Sequence, residues 1–203
     1  MSEKMSDTYK TIQVKTEGMY REKGSKFLSF AFPVQSIDEI KEILNGFRKQ
    51  YYDANHVCYA YMLGAERKEW RTNDDGEPSG TAGKPILGQI NSRELTNILV
   101  IVVRYFGGIL LGTSGLISAY KESVSLVLNE AETIEKTVDV QIFIRFEYPL
   151  MNEVMRIVKE TDAQILSQSY ENECKMTLNI RLQSAELLKN KLEKIVIEVT
   201  NNE

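Results

Sequence analysis

The chain has 203 residues, of which 42% are hydrophobic and 27% charged, and its formal net charge is −4. This length allows one large domain or two small ones with a buried core, and the composition excludes a disordered chain. The net acidity excludes a surface that attracts polyanions as a whole, so a contact with nucleic acid requires a local basic patch.

Sequence signals for targeting, metal binding and disulfides are weak. The start, MSEKMSDTYK, has no apolar core and does not predict a signal peptide, and the apolar run Ile98 to Val103 is too short to span a bilayer. Cys58 and Cys174 lie far apart without metal-ligand spacing, and His56 is the only histidine. We therefore expect a cytoplasmic protein with reduced thiols, no metal, no cofactor and no membrane partner.

The first predicted elements are two strands and a helix. Lys26 to Val34 and Val57 to Leu63 are rich in aromatic and branched residues, which is typical of strands. Between them, Ser36 and Glu39 form a capping box. The helix that follows has one apolar face, formed by Ile37, Ile40, Ile43, Leu44 and Phe47.

Residues 73–85 read NDDGEPSGTAGKP, and the glycines and prolines of this run exclude a regular helix or strand. Asp74, Asp75 and Glu77 are chemically able to bind a hard cation or to act as acid and base. Their spacing matches no metal-site template, and such side chains readily cap backbone amides in tight turns, so we favour capping. Pro85 suits the first turn of a short helix around residues 86–90.

Asn97 to Tyr105 (NILVIVVRY) is the clearest strand, and because both its faces are apolar it is predicted in the middle of a covered sheet. A glycine-rich turn follows, and then a helix with Thr113 or Ser114 as its predicted N-cap. The stretch GGILLGTS resembles a phosphate loop but has Thr113 where that loop needs lysine, so we exclude an NTPase. The helix has apolar residues at helical spacing: Leu116, Ile117, Tyr120, Val124, Val127 and Leu128.

Arg104 closes the apolar strand and is expected at the end of the sheet beside the glycine turn. It is predicted to pair with an acid of the loop at 73–85 or to meet an external phosphate. His56 is expected to be half-buried and hydrogen-bonded. The sequence thus predicts that the acidic loop and the glycine turn meet at one edge of the first sheet.

The last third of the chain has the order of a ferredoxin-like split βαβ unit. Glu130 to Thr137 is polar and is interpreted as a linker. The predicted order after it is strand, helix, two hairpin strands, helix and a short last strand. These elements are placed at Val138–Tyr148, Met151–Thr161, Ala163–Tyr170, Lys175–Leu182, Ser184 onward and Ile197–Thr200.

Two long motifs, NDDGEPSGTAGKPIL and VVRYFGGILLGTSGLISAY, resemble the signature of the YigZ/IMPACT family. The shorter segments KGSKFLS and DANHVCYAY agree with weaker motifs of that family. The resemblance covers nearly the whole chain, and it is strong in the first part and loose in the second.

The resemblance implies an α+β fold in two domains. Residues 1–133 would form a βα sandwich with a four-stranded sheet, similar to the second domain of ribosomal protein S5, and residues 134–203 a ferredoxin-like domain. The pair resembles the fourth and fifth domains of elongation factor G, which work on the ribosome. Eukaryotic relatives bind the activator of a translation-control kinase through an extra N-terminal domain without a counterpart here, so that mechanism is not transferred. The family implies no catalytic residues.

Three functions follow as hypotheses. The first is a translation-associated binding or regulatory protein that contacts ribosome, RNA or a translation factor, without sequence-specific DNA binding. The second is a hydrolase-like enzyme for a phosphorylated or nucleotide-like small molecule, and the third is a protein-only scaffold. The candidate binding face is Asp74, Asp75, Gly76, Glu77, Pro78, Gly80, Thr81, Gly83, Lys84, Arg104, Tyr105, Phe106, Gly107, Gly108 and Gly112, with Lys26, His56 and Lys121 as secondary candidates.

Overall fold

The computed structural model describes residues 7–201. The chain folds into two compact units, the first formed by residues 9–136 and the second by residues 137–201 with residues 7 and 8. The prediction that no signal peptide is present concerns the start MSEKMSDTYK, of which residues 1–6 lie outside the described residues. The assignment of residues 1–133 and 134–203 as domains stays a prediction.

The first unit is built around an antiparallel five-stranded sheet with the order β2-β3-β6-β4-β5, and β1 and β7 form a separate two-stranded sheet. The elements are β1 (Thr8–Ile12), β2 (Thr16–Glu22), β3 (Ser25–Pro33), α1 (Ile37–Gln50), β4 (His56–Leu63), β5 (Glu69–Asn73), α2 (Gly83–Ser92), β6 (Ile98–Tyr105), α3 (Gly112–Glu130) and β7 (Thr133–Thr137).

Strand β6 lies in the middle of this sheet, and its residues 98–103 are fully buried. Ile40, Leu44 and Phe47 of α1 cover one face, and α2 and α3 cover the other. The prediction of a central strand covered on both faces is confirmed.

Local signals at the helix starts are mostly confirmed. The Ser36 hydroxyl accepts a hydrogen bond from the Glu39 N–H at 3.2 Å. The Glu39 carboxylate accepts from the N–H of Gln35 at 2.8 Å, one residue before the position that a standard capping box uses. Pro85 lies in the first turn of α2, which is longer than predicted.

Three expectations for the first unit are wrong. The sheet has five strands where the resemblance implied four, because β2 and β5 both pair as edge strands with the inner three. The predicted linker at residues 130–137 instead contains the last residue of α3 and strand β7. The helix α3 begins at Gly112, before Thr113 and Ser114, with Leu111 at the N-cap position, so neither hydroxyl residue is the cap.

The second unit is a four-stranded antiparallel sheet with two helices on one face. Its elements are β8 (Asp139–Phe146), α4 (Met151–Glu160), β9 (Gln164–Tyr170), β10 (Cys174–Arg181), α5 (Leu182–Leu192) and β11 (Glu198–Asn201). The strand order β11-β8-β10-β9 confirms the predicted ferredoxin-like arrangement, including the short last strand. None of the helices described in residues 7–201 is long and apolar enough to cross a membrane.

Candidate functional site

Asp74 organises the loop at residues 73–85 by accepting three backbone hydrogen bonds. Its Oδ2 accepts from the N–H of Gly80 at 2.9 Å, and its Oδ1 accepts from Ala82 at 3.0 Å and Gly83 at 2.8 Å. The last two amides belong to the start of α2, so Asp74 caps that helix from outside. Burial acts to raise the pKa of Asp74, but these N–H donors hold it below its ordinary value.

Asp75 fastens the same loop to the start of β4. Its Oδ2 accepts from the N–H of Val57 at 2.6 Å, and its carbonyl oxygen lies 2.8 Å from Nδ1 of His56. Asp75 has a φ of +45°, and Gly76 follows with a φ of +86°. Two consecutive left-handed residues turn the chain back over His56, which is the ladder partner of Arg104 on β6.

Glu77 and Arg104 form a buried ion pair that joins the loop to the end of β6. Oε1 of Glu77 lies 2.7 Å from Nη1 of Arg104 and also accepts from the Tyr120 hydroxyl at 2.8 Å. The two residues are 8% and 5% exposed. Because a buried charge needs a partner, this pair makes the loop and the sheet edge one structure.

Cys58 lies beside the pair as a buried thiol. Its Sγ donates to the Asp74 carbonyl at 3.0 Å and lies 3.3 Å from the Tyr120 hydroxyl. Burial raises the pKa of the Cys58 thiol, and burial also raises the pKa of Tyr120, assisted by Cys58 and Glu77. A thiol held protonated is a poor nucleophile, so Cys58 serves the packing of this network.

The glycine turn between β6 and α3 requires its glycines for two different reasons. A Cβ on Gly107 would lie 1.8 Å from the carbonyl carbon of Gly24, so the two backbones meet where no side chain fits. Gly108 and Gly112 have φ values of +85° and +71°, which side chains of L-residues rarely tolerate. Ser25 holds the turn in place, because its hydroxyl accepts from the Gly107 N–H at 3.2 Å.

The loop and the turn border one cavity of about 450 Å³. Phe106 is 44% exposed and Leu110 is 83% exposed, and both line the cavity, whose inner wall contains the Glu77–Arg104 pair and His56. The remaining lining residues are Asn55, Gly76, Pro78, Leu111, Gly112, Thr113 and Leu116. The two motifs therefore form one surface, with an apolar rim and a polar interior.

A family model, described as the Impact N-terminal domain, matches residues 23–128 of the chain. This range contains the acidic loop, the glycine turn and every residue that lines the cavity. The chain belongs to this Impact family.

Relatives and solved structures agree with that assignment. The IMPACT family member YigZ of Escherichia coli (strain K12) is 34% identical over 73% of this chain and 74% of its own length. The IMPACT family member YvyE of Bacillus subtilis (strain 168) is 39% identical over 65% of this chain and 61% of its own length. A crystal structure described as that of a hypothetical protein superimposes with a TM-score of 0.76, at 26% identity over 98% of both chains.

The structure brings some of the predicted Impact-family face together at the cavity. Gly76, Glu77, Pro78, Arg104, Phe106, Gly112 and the secondary candidate His56 line it. The meeting of the acidic loop with Arg104 is confirmed, with Glu77 as the partner. The alternative role of Arg104, contact with an external phosphate, is not supported, because its side chain is buried and paired with Glu77.

Other predicted residues lie elsewhere in the same unit. Tyr105 and its ladder partner Lys26 lie on the face of the sheet that α1 covers, and the Tyr105 hydroxyl donates to Asp53 at 2.9 Å. Thr81 is buried inside the loop, where its hydroxyl donates to the Pro78 carbonyl, and Gly83 is buried against β5. Two of the predicted residues are exposed lysines that do not line the cavity, Lys84 and Lys121. The other five predicted residues do not line the cavity but belong to the loop and the glycine turn that border it: Asp74, Asp75, Gly80, Gly107 and Gly108.

Sequence reasoning missed Asn55 and the leucines of the glycine turn. Asn55 fixes the turn, since its Oδ1 accepts from the Phe106 N–H at 2.7 Å. Its place in the segment DANHVCYAY was the only signal for it. Leu110 was passed over because an apolar residue in a turn carries no chemistry, although its exposure of 83% is what marks it. Across residues 7–201, no group of three or more His, Cys, Asp or Glu side chains is placed to hold a metal ion.

Proposed function

We propose that the protein is a translation-associated binding protein that contacts the ribosome, RNA or a translation factor through the cavity and its apolar rim. The observation that carries the proposal is the joining of both family motifs into one accessible surface by the Glu77–Arg104 pair. The resemblance to two domains of elongation factor G supplies the translation context, which is an analogy of fold. A cytoplasmic location belongs to the same proposal.

The structural use of the acids favours binding over hydrolysis. Asp74 holds three amides, Asp75 holds the start of β4, and Glu77 Oε1 serves two donors. Each carboxylate thus has a task in folding. What remains open to a partner is an aromatic and aliphatic rim over a few polar groups, and such a composition suits recognition.

Sedimentation of the full chain with ribosomes at low and high salt tests the proposal. We expect co-sedimentation of the wild type, and its loss in Leu110→Asp, because a charge on the rim opposes docking. The matched control is Leu126→Asp, which places the same charge on the exposed side of α3 towards its other end. Absence of wild-type co-sedimentation even at low salt would contradict contact with the ribosome, and equal loss in both variants would contradict docking through the rim.

Affinity capture from the protein's own cell extract distinguishes binding of RNA or the ribosome from the function of a protein-only scaffold. Partners that require intact RNA support the proposal for ribosome or RNA. Partners that persist after nuclease treatment and depend on Leu110 support a translation factor or, if none is a translation component, the scaffold.

The alternative function is a hydrolase-like enzyme for a phosphorylated or nucleotide-like small molecule. The observation that favours testing it is the proximity of His56 and Glu77 in the cavity, with Nε2 and Oε2 3.9 Å apart. Turnover of phosphoester substrates that disappears in His56→Gln, while the urea midpoint is unchanged, would favour the enzyme. Equal rates for the wild type and the variant would exclude this site as its centre.

A further inference from the structure

The aromatic ring of Phe106 is covered by Arg104 on one face, and the rest of the ring is open to a ligand in the cavity. The Arg104 guanidinium carbon lies over the ring, 5.8 Å from its centroid, and Phe106 is 44% exposed. Because Arg104 is already paired with Glu77, the ring is backed by a fixed and neutralised cation. A second cation gains little there, whereas a neutral aromatic ligand can stack on the open side.

Two hydrogen-bond acceptors face each other in the same cavity. The carbonyl of Asp75 accepts from Nδ1 of His56, so in the neutral ring Nε2 carries the lone pair. This Nε2 lies 3.9 Å from Oε2 of Glu77, and within residues 7–201 neither atom receives a hydrogen bond from a protein donor. A ligand amino group, which carries two N–H donors, could donate one hydrogen bond to each of these acceptors.

Asn55 adds a donor to the same cavity. Its Oδ1 is fixed by the Phe106 N–H, which leaves the amide Nδ2 as the free end of the side chain in the described part of the molecule. Asn55, His56, Glu77 and Phe106 all line the one cavity. The cavity therefore offers an aromatic platform, a pair of acceptors and one donor.

We propose that the cavity binds one unstacked adenine or cytosine base of single-stranded RNA. The base would stack on Phe106, give its exocyclic amino group to His56 and Glu77, and accept from Asn55 at its ring nitrogen. Uracil and guanine present a ring N–H where adenine and cytosine present that lone pair, so they fit less well. The inference deepens the proposed function and rests on it for the RNA: Arg104, the one Lys or Arg of residues 7–201 that lines the cavity, is paired with Glu77, so the phosphates would be held outside the cavity.

Anisotropy titrations of the full chain with labelled RNA oligonucleotides test the inference. The probes are short adenine-only, cytosine-only and uracil-only strands, and an abasic strand of equal length. We expect the adenine and cytosine strands to bind on the order of ten-fold more tightly than the abasic strand, as stacking of a base predicts. Uracil is expected to bind more weakly than both.

Variants separate stacking from hydrogen bonding. Phe106→Ala should abolish the advantage over the abasic strand and Phe106→Trp should retain it, whereas the control Trp70→Ala, at an exposed aromatic on β5, should change nothing. Asn55→Asp keeps the oxygen that accepts from Phe106 but removes the donor, and it should erase the preference over uracil. Equal binding of the base-bearing and abasic strands would overturn the inference.

The ribosome sedimentation described above makes the two failures distinguishable. Suppose that co-sedimentation with ribosomes depends on Leu110, but base-bearing and abasic RNA strands bind with equal affinity. This result would support the proposed function and refute base recognition. If a protein segment captured on the cavity is displaced by no RNA probe, the occupant is a protein and the base inference is wrong.

Discussion

At the scale of single residues, three neighbouring acids have three different tasks. Capping by acids of the loop could be predicted from the sequence, because Asp beside glycine and proline favours turn amides. Pairing of Arg104 with one of the acids was also predictable. The choice of Glu77 was not, since the Asp75-Gly76 pair signals a left-handed turn but does not specify which acid that turn directs towards Arg104.

Asp74 is expected to stabilise the first unit through its three backbone hydrogen bonds. Asp74→Ala leaves three amides without their acceptor and should lower the free energy of unfolding by about 1–3 kcal/mol. Asp74→Asn retains one acceptor oxygen and should cost less. Urea unfolding followed by circular dichroism measures both changes, and equal stability of Asp74→Ala and the wild type would refute the capping role.

The lowered pKa of Asp74 also predicts an acid dependence. Its carboxylate is favoured in the folded state, so its contribution is complete above the ordinary value of 3.8 and is lost as the pH falls through the lower folded pKa. The wild type should therefore lose more stability than Asp74→Asn when both are titrated with acid through this range. Parallel loss in the two proteins would contradict the assignment of the pKa shift.

The Glu77–Arg104 pair predicts strong coupling. Arg104→Met or Glu77→Gln alone leaves a buried group without its partner and should cost about 3–5 kcal/mol. The double variant should cost less than the sum of the two by at least about 1 kcal/mol. A thermodynamic cycle from urea unfolding measures the difference, and additive effects would show that the pair does not join the loop to β6.

At the scale of elements, the sequence predicted the central strands of the first sheet and all strands of the second, including its edge strands β9 and β11, but missed the edge strands of the first sheet. The strand over residues 97–105 was found because it is a continuous apolar run, and the ferredoxin-like order was found from the apolar periodicity of its strands and helices. The edge strands β2 (TEGMYRE) and β5 (EWRTN) were missed because polar residues occupy their solvent side. The strand β7 (TIEKT) was interpreted as a linker for the same reason.

Glycine substitutions test the turn that follows β6. Gly107→Ala should cost about 3 kcal/mol or more, because its Cβ would meet the backbone of Gly24 and neither chain can retreat without moving a strand. In Gly108→Ala the added Cβ has no neighbour within 4 Å, so only the left-handed φ is unfavourable. This variant should lower the free energy of unfolding by about 1–2 kcal/mol.

The control for these glycines is Gly46→Ala in the middle of α1, where the space is also open. It should stabilise the protein by about 0.5–1 kcal/mol. Thermal and urea unfolding rank the three variants. A Gly107→Ala protein as stable as Gly108→Ala would contradict the close approach of the turn to Gly24.

At the scale of the whole molecule, membership of the Impact family was predictable from the long motifs that flank the cavity. The cavity was not predictable from the sequence, because it depends on the distance between the turn at residues 106–111 and the loop at residues 73–85. Its exposed leucine has no periodic signature. The meeting of the two motifs was therefore predictable from the sequence, whereas the contacts at Asn55, His56, Glu77 and Phe106 were not.

Hydrogen exchange of the full chain with and without ribosomes tests most directly whether the two motifs act as one binding surface. We predict that residues 74–84 and 104–115 gain protection together, while α1, on the opposite face of the sheet, is unchanged. Protection of only one motif, or protection centred on α1, would contradict the account.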